Sequence, residues 1–233
     1  MRIFESRAAR RNVLVVLILI CVLLLWGTVP AQGASGDVGS ASGISLRLDP
    51  GARSSSLGSA YAASFNDPFS VHFNPAGLGS QTHTEGSFTR FNMLDDVDDM
   101  SLNHLTLVSP LVENRAGLGL SVTSLDFGDF QRTEVNRNRN PIQGLGGFDA
   151  GDINVSGSLG FSLTDSLKAG LSATYYRSTI AEFEASTVTG DFGLQYHIVP
   201  RSMVVGLAAR NVGGGLEFVQ EEDPLATVYD LGI

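Results

Sequence analysis

The chain has 233 residues, a formal net charge of −9 and a single cysteine, Cys21. That length carries one sizeable domain. Its only lysine is Lys168, and a nucleic-acid surface needs clustered Lys and Arg to displace counterions, so nucleic acid is excluded as a partner.

From the N-terminus, Arg2, Arg7, Arg10 and Arg11 form a basic leader, residues 13–26 are almost wholly apolar, and residues 27–34 are small and polar. This is the three-part layout of a secretory signal peptide. An apolar run of about 14 residues falls short of the about 20 that a spanning helix takes. A signal peptide is expected over 1–34, cut after Ala31 or Ala34. Cys21 follows Ile20, where a lipoprotein site needs a small residue, so the exported chain has no cysteine and no disulfide. Losing the leader removes those four arginines and Glu5, which leaves the exported chain more acidic still.

Residues 35–83 come next, and "FNDPFSVHFNPAGLG" (65–79) does not read as a strand. Asn74 before Pro75 is a capping side chain ahead of a proline at the first helical position. Gly77 then tolerates the positive φ that ends such a turn. Asp67 before Pro68 repeats the start of that construction, with Phe65, Phe69 and Phe73 spaced around the two phrases. The stretch 48–64 upstream is rich in small residues. A compact knot of short turns is expected.

Beyond residue 84 the chain alternates. Val155, Leu159, Phe161 and Leu163 share one face with Gly157; Asn154, Ser156, Ser158, Gly160 and Ser162 share the other. Ala169, Leu171, Ala173 and Tyr175 oppose Lys168, Gly170, Ser172, Thr174 and Tyr176. Val188, Gly190, Phe192, Leu194 and Tyr196 oppose Thr187, Thr189, Asp191, Gly193, Gln195 and His197. Ala116–Leu118–Leu120–Val122 and Met203–Val205–Leu207–Ala209 behave likewise. Period two over about ten residues is the strand signature. A soluble β-sandwich would alternate as well, but its strands usually run about 5 to 6 residues, whereas a membrane-spanning strand takes about 9 to 11. The polar faces are rich in Gly, Ser and Thr, as a barrel lumen is. Short connections near 110–115, 164–167 and 199–202 interleave with longer ones at 93–100, 127–150, 178–184 and 213–224, the order of short inner turns and long outer loops in outer-membrane barrels.

The expected fold is therefore all-β: a transmembrane antiparallel outer-membrane β-barrel over 84–233, with residues 35–83 as an N-terminal hatch inside the lumen. A surface loop ahead of the barrel is the alternative for that segment. Lys168, Tyr176, Asp191, Gln195 and His197 are the expected lumen-facing residues, with Lys168 and Asp191 as a polar lining or a salt bridge. Eight strands are expected, or nine if 216–220 pairs separately. An eight-stranded barrel is just filled by its own side chains. It leaves no room for a plug, so the chain is expected to be part of a larger barrel.

No catalytic, cofactor or metal site is expected. Asp95, Asp96, Asp98 and Asp99 cluster in a predicted outer loop, but EF-hand spacing fails: Met100 stands where Gly is needed and Thr106 where Glu is needed. His72, His83, His104 and His197 are scattered with no close pair. Gly144, Gly146 and Gly147 have no following helix, and no Gly-x-Ser-x-Gly elbow occurs.

"GARSSSLGSAYAASFNDPFSVHFNPAGL" (51–78) resembles the N-terminal signature of the PorV/PorQ family of outer-membrane proteins. Gly51, Ala52, Arg53, Leu57, Gly58, Ala60, Asp67, Pro68, Phe73, Asn74, Pro75, Ala76, Gly77 and Leu78 match it. "GDFGLQYHI" and "VGLAARNVGGGLEF" resemble its later strands. The resemblance implies a fold like that of FadL, the long-chain fatty-acid transporter, with about fourteen strands and a hatch that contains Asp67, Pro68 and 73–77. It implies no substrate. Three readings follow. The first is a FadL-like channel for hydrophobic or small solutes, opened by movement of the hatch. The second is a secretion-system component that binds exported proteins through loops such as "TEVNRNRNPIQG" (133–144). The third is a barrel enzyme or a structural porin-like protein. Outer-membrane lipid, a hydrophobic small molecule and secretion-system proteins are the corresponding partners.

Overall fold

The computed structural model describes residues 42–93, 100–113, 115–132, 134–135, 141–142, 146–199, 202–218 and 222–233. The expected signal peptide with Cys21, the acidic residues Asp95–Asp99 and all but two short pieces of 133–144 lie outside the described residues.

Residues 42–83 form no strand. They fold as a 3-10 turn (Ile44–Arg47), helix α1 (Ala52–Ser56), helix α2 (Ser70–Phe73) and a second 3-10 turn (Pro75–Ser80). Among the described residues twelve strands follow: β1 (Glu85–Asn92), β2 (Ser101–Val112), β3 (Ala116–Gln131), β4 (Glu134–Val135), β5 (Pro141–Ile142), β6 (Gly147–Ser162), β7 (Leu167–Ile180), β8 (Phe183–Val199), β9 (Met203–Gly213), β10 (Leu216–Glu217), β11 (Glu222–Asp223) and β12 (Val228–Gly232). Eight of them make one antiparallel sheet in the order β1-β2-β3-β6-β7-β8-β9-β12, so sequential neighbours pair throughout. The pairs β4–β5 and β10–β11 are small hairpins off the sheet. The fold is all-β, and among the described residues no helix is long and apolar enough to cross a membrane.

The main strands reach 17 residues, longer than the alternation alone marks out. One connection differs from the sequence reading. Residues 178–184 are not a long loop: Thr179 pairs with Glu184 and Ile180 with Phe183, which leaves a two-residue turn. Ala181 takes φ +54° there, and an Arg177–Glu184 ion pair spans the two strands. The turn was hidden because it holds Ala-Glu in place of the Asn-Gly or Asp-Gly that such hairpins favour. The extra strand expected at 216–220 is instead β10, set off the sheet.

The sheet is inside out by the standards of a soluble protein. The face under residues 42–83, called the inner face below, carries His104, Thr106, Ser121, Asn154, Ser158, Ser172, Thr174, Thr189, Asp191 and Gln195, all buried. The opposite face carries Leu105, Leu107, Leu120, Val155, Phe161, Leu171, Tyr175, Val188, Phe192 and Leu194, all exposed. These make rows across the strands: Leu105 pairs with Val122, Val122 with Val155, Val155 with Tyr175 and Tyr175 with Val188.

Candidate functional site

The site is the seam between residues 42–83 and the inner face. It begins with a row of glycines. Gly117 pairs with Gly160, Gly160 with Gly170 and Gly170 with Gly193, so four strands present bare backbone at one level. A Cβ at any of these positions would come within 3.0 Å of the segment: of Leu78 at Gly117, Pro75 at Gly160 and Gly170, and Asn74 at Gly193. Side chains would hold the segment off by their own thickness, and glycine lets the two backbones touch. Gly206 on β9 does the same for Ala62.

Into this groove runs the turn 74–80. Asn74 Oδ1 accepts from Ala76 N at 3.1 Å, which is the expected cap, and Pro75 follows at the first position of the turn. The amide end of Asn74 does more. Nδ2 donates to Ala62 O at 2.6 Å and lies 3.3 Å from both Leu194 O and Leu207 O, a paired couple on β8 and β9. One buried side chain thus caps its own turn and ties it to two strands. Gln195 Nε2 works from the other side, donating to Ala62 O at 3.0 Å and Ser64 O at 2.7 Å. Ser162 Oγ donates to Gly79 O at 2.8 Å, and Thr106 Oγ1 to Pro68 O at 3.3 Å.

Asp67 organises the first phrase. Its Oδ1 accepts from Phe69 N at 2.8 Å, and its Oδ2 accepts from Tyr61 O–H at 2.8 Å and faces Arg53 at 3.5 Å. Pro68 lies ahead of α2, whose first residue is Ser70. Burial, with the Asp67 carboxylate beside it, raises the Tyr61 hydroxyl above its ordinary value. The three phenylalanines go to different places. Phe65 meets His197 on β8 edge-on at 4.9 Å, Phe69 stacks on His104 of β2 at 5.7 Å, and Phe73 lies under the Arg210 guanidinium of β9 at 5.3 Å. Their spacing spreads the stretch 65–73 over three strands.

A charged and aromatic cluster surrounds His72. Arg210 Nε donates to Asp230 Oδ2 on β12 at 2.7 Å, and its Nη1 lies 3.4 Å from His72 O and from His72 Nε2. The His104 ring is 6.3 Å from the His72 ring, so two histidines read as scattered are neighbours in space. Burial, then the Arg210 charge, then His104 hold His72 well below the usual imidazole range. Beside it lies a cavity of about 20 Å³ lined by Ser121, Asn154, Ser156, Thr174, Asp191 and Asn211, room for a single water. The buried Asn211 amide has no hydrogen-bond partner, and Asp191 accepts from Asn211 N at 2.7 Å.

Lys168, Tyr176, Asp191, Gln195 and His197 are all buried on the inner face. The structure does not pair Lys168 with Asp191: Lys168 stands opposite Gln195 and donates to Ser162 Oγ at 2.5 Å, while Asp191 stands opposite Ser172. Asp67, Pro68, Phe73, Asn74, Pro75, Ala76 and Gly77 lie together at the seam. Sequence reasoning missed the glycine row, Arg210, Asp230 and the strand contacts of Asn74. The signal present was the run of Gly on the polar faces, which acquires a level only when the strand register is known. No group of three or more candidate metal ligands occurs among the described residues.

No protein-family model and no curated protein matches this chain.

Proposed function

We propose that the chain belongs to an outer-membrane β-barrel of the PorV/PorQ type, in which residues 42–83 are the hatch and solutes pass when it shifts. One observation carries this reading: the exposed face of the sheet is apolar and the buried face polar. In water that arrangement leaves a large continuous apolar surface wet, which soluble monomers avoid. In lipid it is the favoured one. The outward side chains extend from Ile153 on β6 to Leu163, the residue that follows the strand. Ten steps of about 3.4 Å give roughly 34 Å, or roughly 26 Å at a tilt of about 40°, which matches an apolar band about 25 Å tall.

The hatch packs against β2, β3, β6, β7, β8, β9 and β12, and the interior of an eight-stranded barrel has no room for such a segment. The complete barrel would then contain further strands beside β1 and β12. The inner face is mostly polar, with Ser, Thr, Asn and Gln beside His104, Lys168, Asp191 and Arg210. Within a FadL-like channel for hydrophobic or small solutes, that lining supports small polar solutes over acyl chains. The seam supports a second reading. A hatch bound through bare backbone and Asn74 suits a permanent plug, as in a secretion-system barrel that binds exported proteins by its loops. No catalytic role is proposed.

The test is solute-driven swelling of liposomes containing the complete refolded barrel, further strands included, with a heat-shifted band on a gel as the check of barrel folding. Swelling that increases when Asn74 is replaced supports the channel. A folded barrel that stays closed in both forms supports the plug.

A further inference from the structure

The hatch is held at a second place, far from the glycine row. Tyr176 is six residues beyond Gly170 on the same face of β7, roughly 20 Å along the strand. There the first hatch residues meet the β9–β12 connection, of which 214–218 and 222–227 are described. Ser42 N donates to Pro224 O at 3.1 Å, Ser42 Oγ donates to Asp223 O at 2.9 Å, and Ser42 forms an isolated parallel bridge with Leu225. Leu46 packs with Tyr176, Ala185, Leu216 and Leu225 in a buried cluster, with Phe218 against it. Ser45 Oγ donates to Tyr176 Oη at 3.1 Å. The fit is close: a Cβ on Gly43, which sits at φ +65°, would come 2.6 Å from Leu225 Cδ2.

We propose that the two described arms of this connection, 214–218 and 222–227, form a strap that latches the hatch. Its apolar underside, Leu216 and Leu225, closes over Leu46, and its backbone binds Ser42. The hatch entry therefore cannot leave the inner face until the strap lifts. One continuous chain joins that entry to Asn74, so the latch and the glycine seat restrain the same body. Strap opening is the step that precedes hatch movement. This inference rests on the hatched-barrel reading only for its meaning as a gate. The contact between strap and hatch is independent of any membrane.

The experiment is hydrogen exchange followed by mass spectrometry on the full chain, with the heat-shift gel run on the same samples. Leu225→Ser should raise exchange about tenfold at residues 42–48 and also at 72–79, with β6 to β8 unchanged. In a second variant, Ser42→Cys with Leu225→Cys, bridge partners about 5 Å apart are within the Cα span of a disulfide. Oxidation should slow exchange at 72–79 relative to the reduced form of the same variant, which lacks the Leu225 contact. If either comparison moves 42–48 while 72–79 stays unchanged, the latch is overturned. If Leu225→Ser does not fold, the cross-linked pair decides alone. Absence of a heat shift in the wild type would count against the barrel and leave the exchange result to judge the latch.

Discussion

The Asn74 carboxamide occupies the space that a side chain at Gly193 would need: a Cβ there would fall within 3.0 Å of both Oδ1 and the amide carbon. The residue that ties the turn 74–80 to two strands and the bare backbone of β8 at Gly193 are two halves of one contact. Neither can change alone.

Asn74→Ala should unseat the turn. It removes the cap and the amide that reaches Ala62, Leu194 and Leu207. A lost cap costs about 1 kcal/mol; Ala62 O keeps its bond from Gln195 Nε2, so the lost amide bonds add about 0.5–1.5 kcal/mol. Faster proteolysis within 42–83, with the strands intact, is the expected outcome. Asn74→Asp keeps the cap but loses the donors and buries a charge, so it should be no better than alanine.

Glycine substitutions should divide by face. Gly170→Ala drives a methyl into the backbone of Pro75 and Ala76, which cannot swing aside, and should cost about 1–3 kcal/mol. Gly157→Ala, on the outward face, meets only Leu120 Cδ2 at 3.8 Å and should be neutral. Denaturant midpoints of the two variants check this.

Hatch seating should weaken in acid. His72 is held below its unfolded pKa, so the unfolded chain binds the extra proton first. The stabilisation is complete above about pH 6.5 and is lost as pH falls below it, by up to about 1.4 kcal/mol per pH unit for one proton. Hatch exchange measured from pH 8 to pH 5, divided by the intrinsic amide rate at each pH, should rise through this window. His72→Gln should flatten the slope, and what slope remains belongs to other groups of the cluster, among them His104 and Asp191.

Much of the architecture could be read from the chain because period two runs through most of each long strand: Leu171, Ala173 and Tyr175 face out, and Ser172, Thr174 and Tyr176 face in. The Asn74–Pro75 cap was equally visible, since a local hydrogen bond needs only local sequence. The seam was not. Gly117, Gly160, Gly170 and Gly193 are separated by tens of residues and become a row only through pairing. His72 and His104 meet across the same register. The turn at Ala181 and Glu182 escaped because strand register, set by the flanking side chains, overrode a poor turn sequence.

An outward charge should be costly. Leu171→Lys places an ammonium amid the apolar rows, where it should cost about 2–4 kcal/mol if that surface faces lipid. Ser172→Ala, its inward neighbour, should leave insertion unchanged. The yield of heat-shifted protein on refolding into liposomes reads both.

The most direct test of the inside-out barrel is a nitroxide scan of 169–176 on β7, one cysteine at a time, in protein reconstituted into lipid vesicles. Oxygen, which concentrates in lipid, should reach labels at Leu171, Ala173 and Tyr175, and labels at Ser172, Thr174 and Tyr176 should be shielded by the hatch. A period of two with oxygen on the outward set is the result the inside-out barrel predicts. Outward labels that are reached instead by a water-soluble relaxation agent would contradict it.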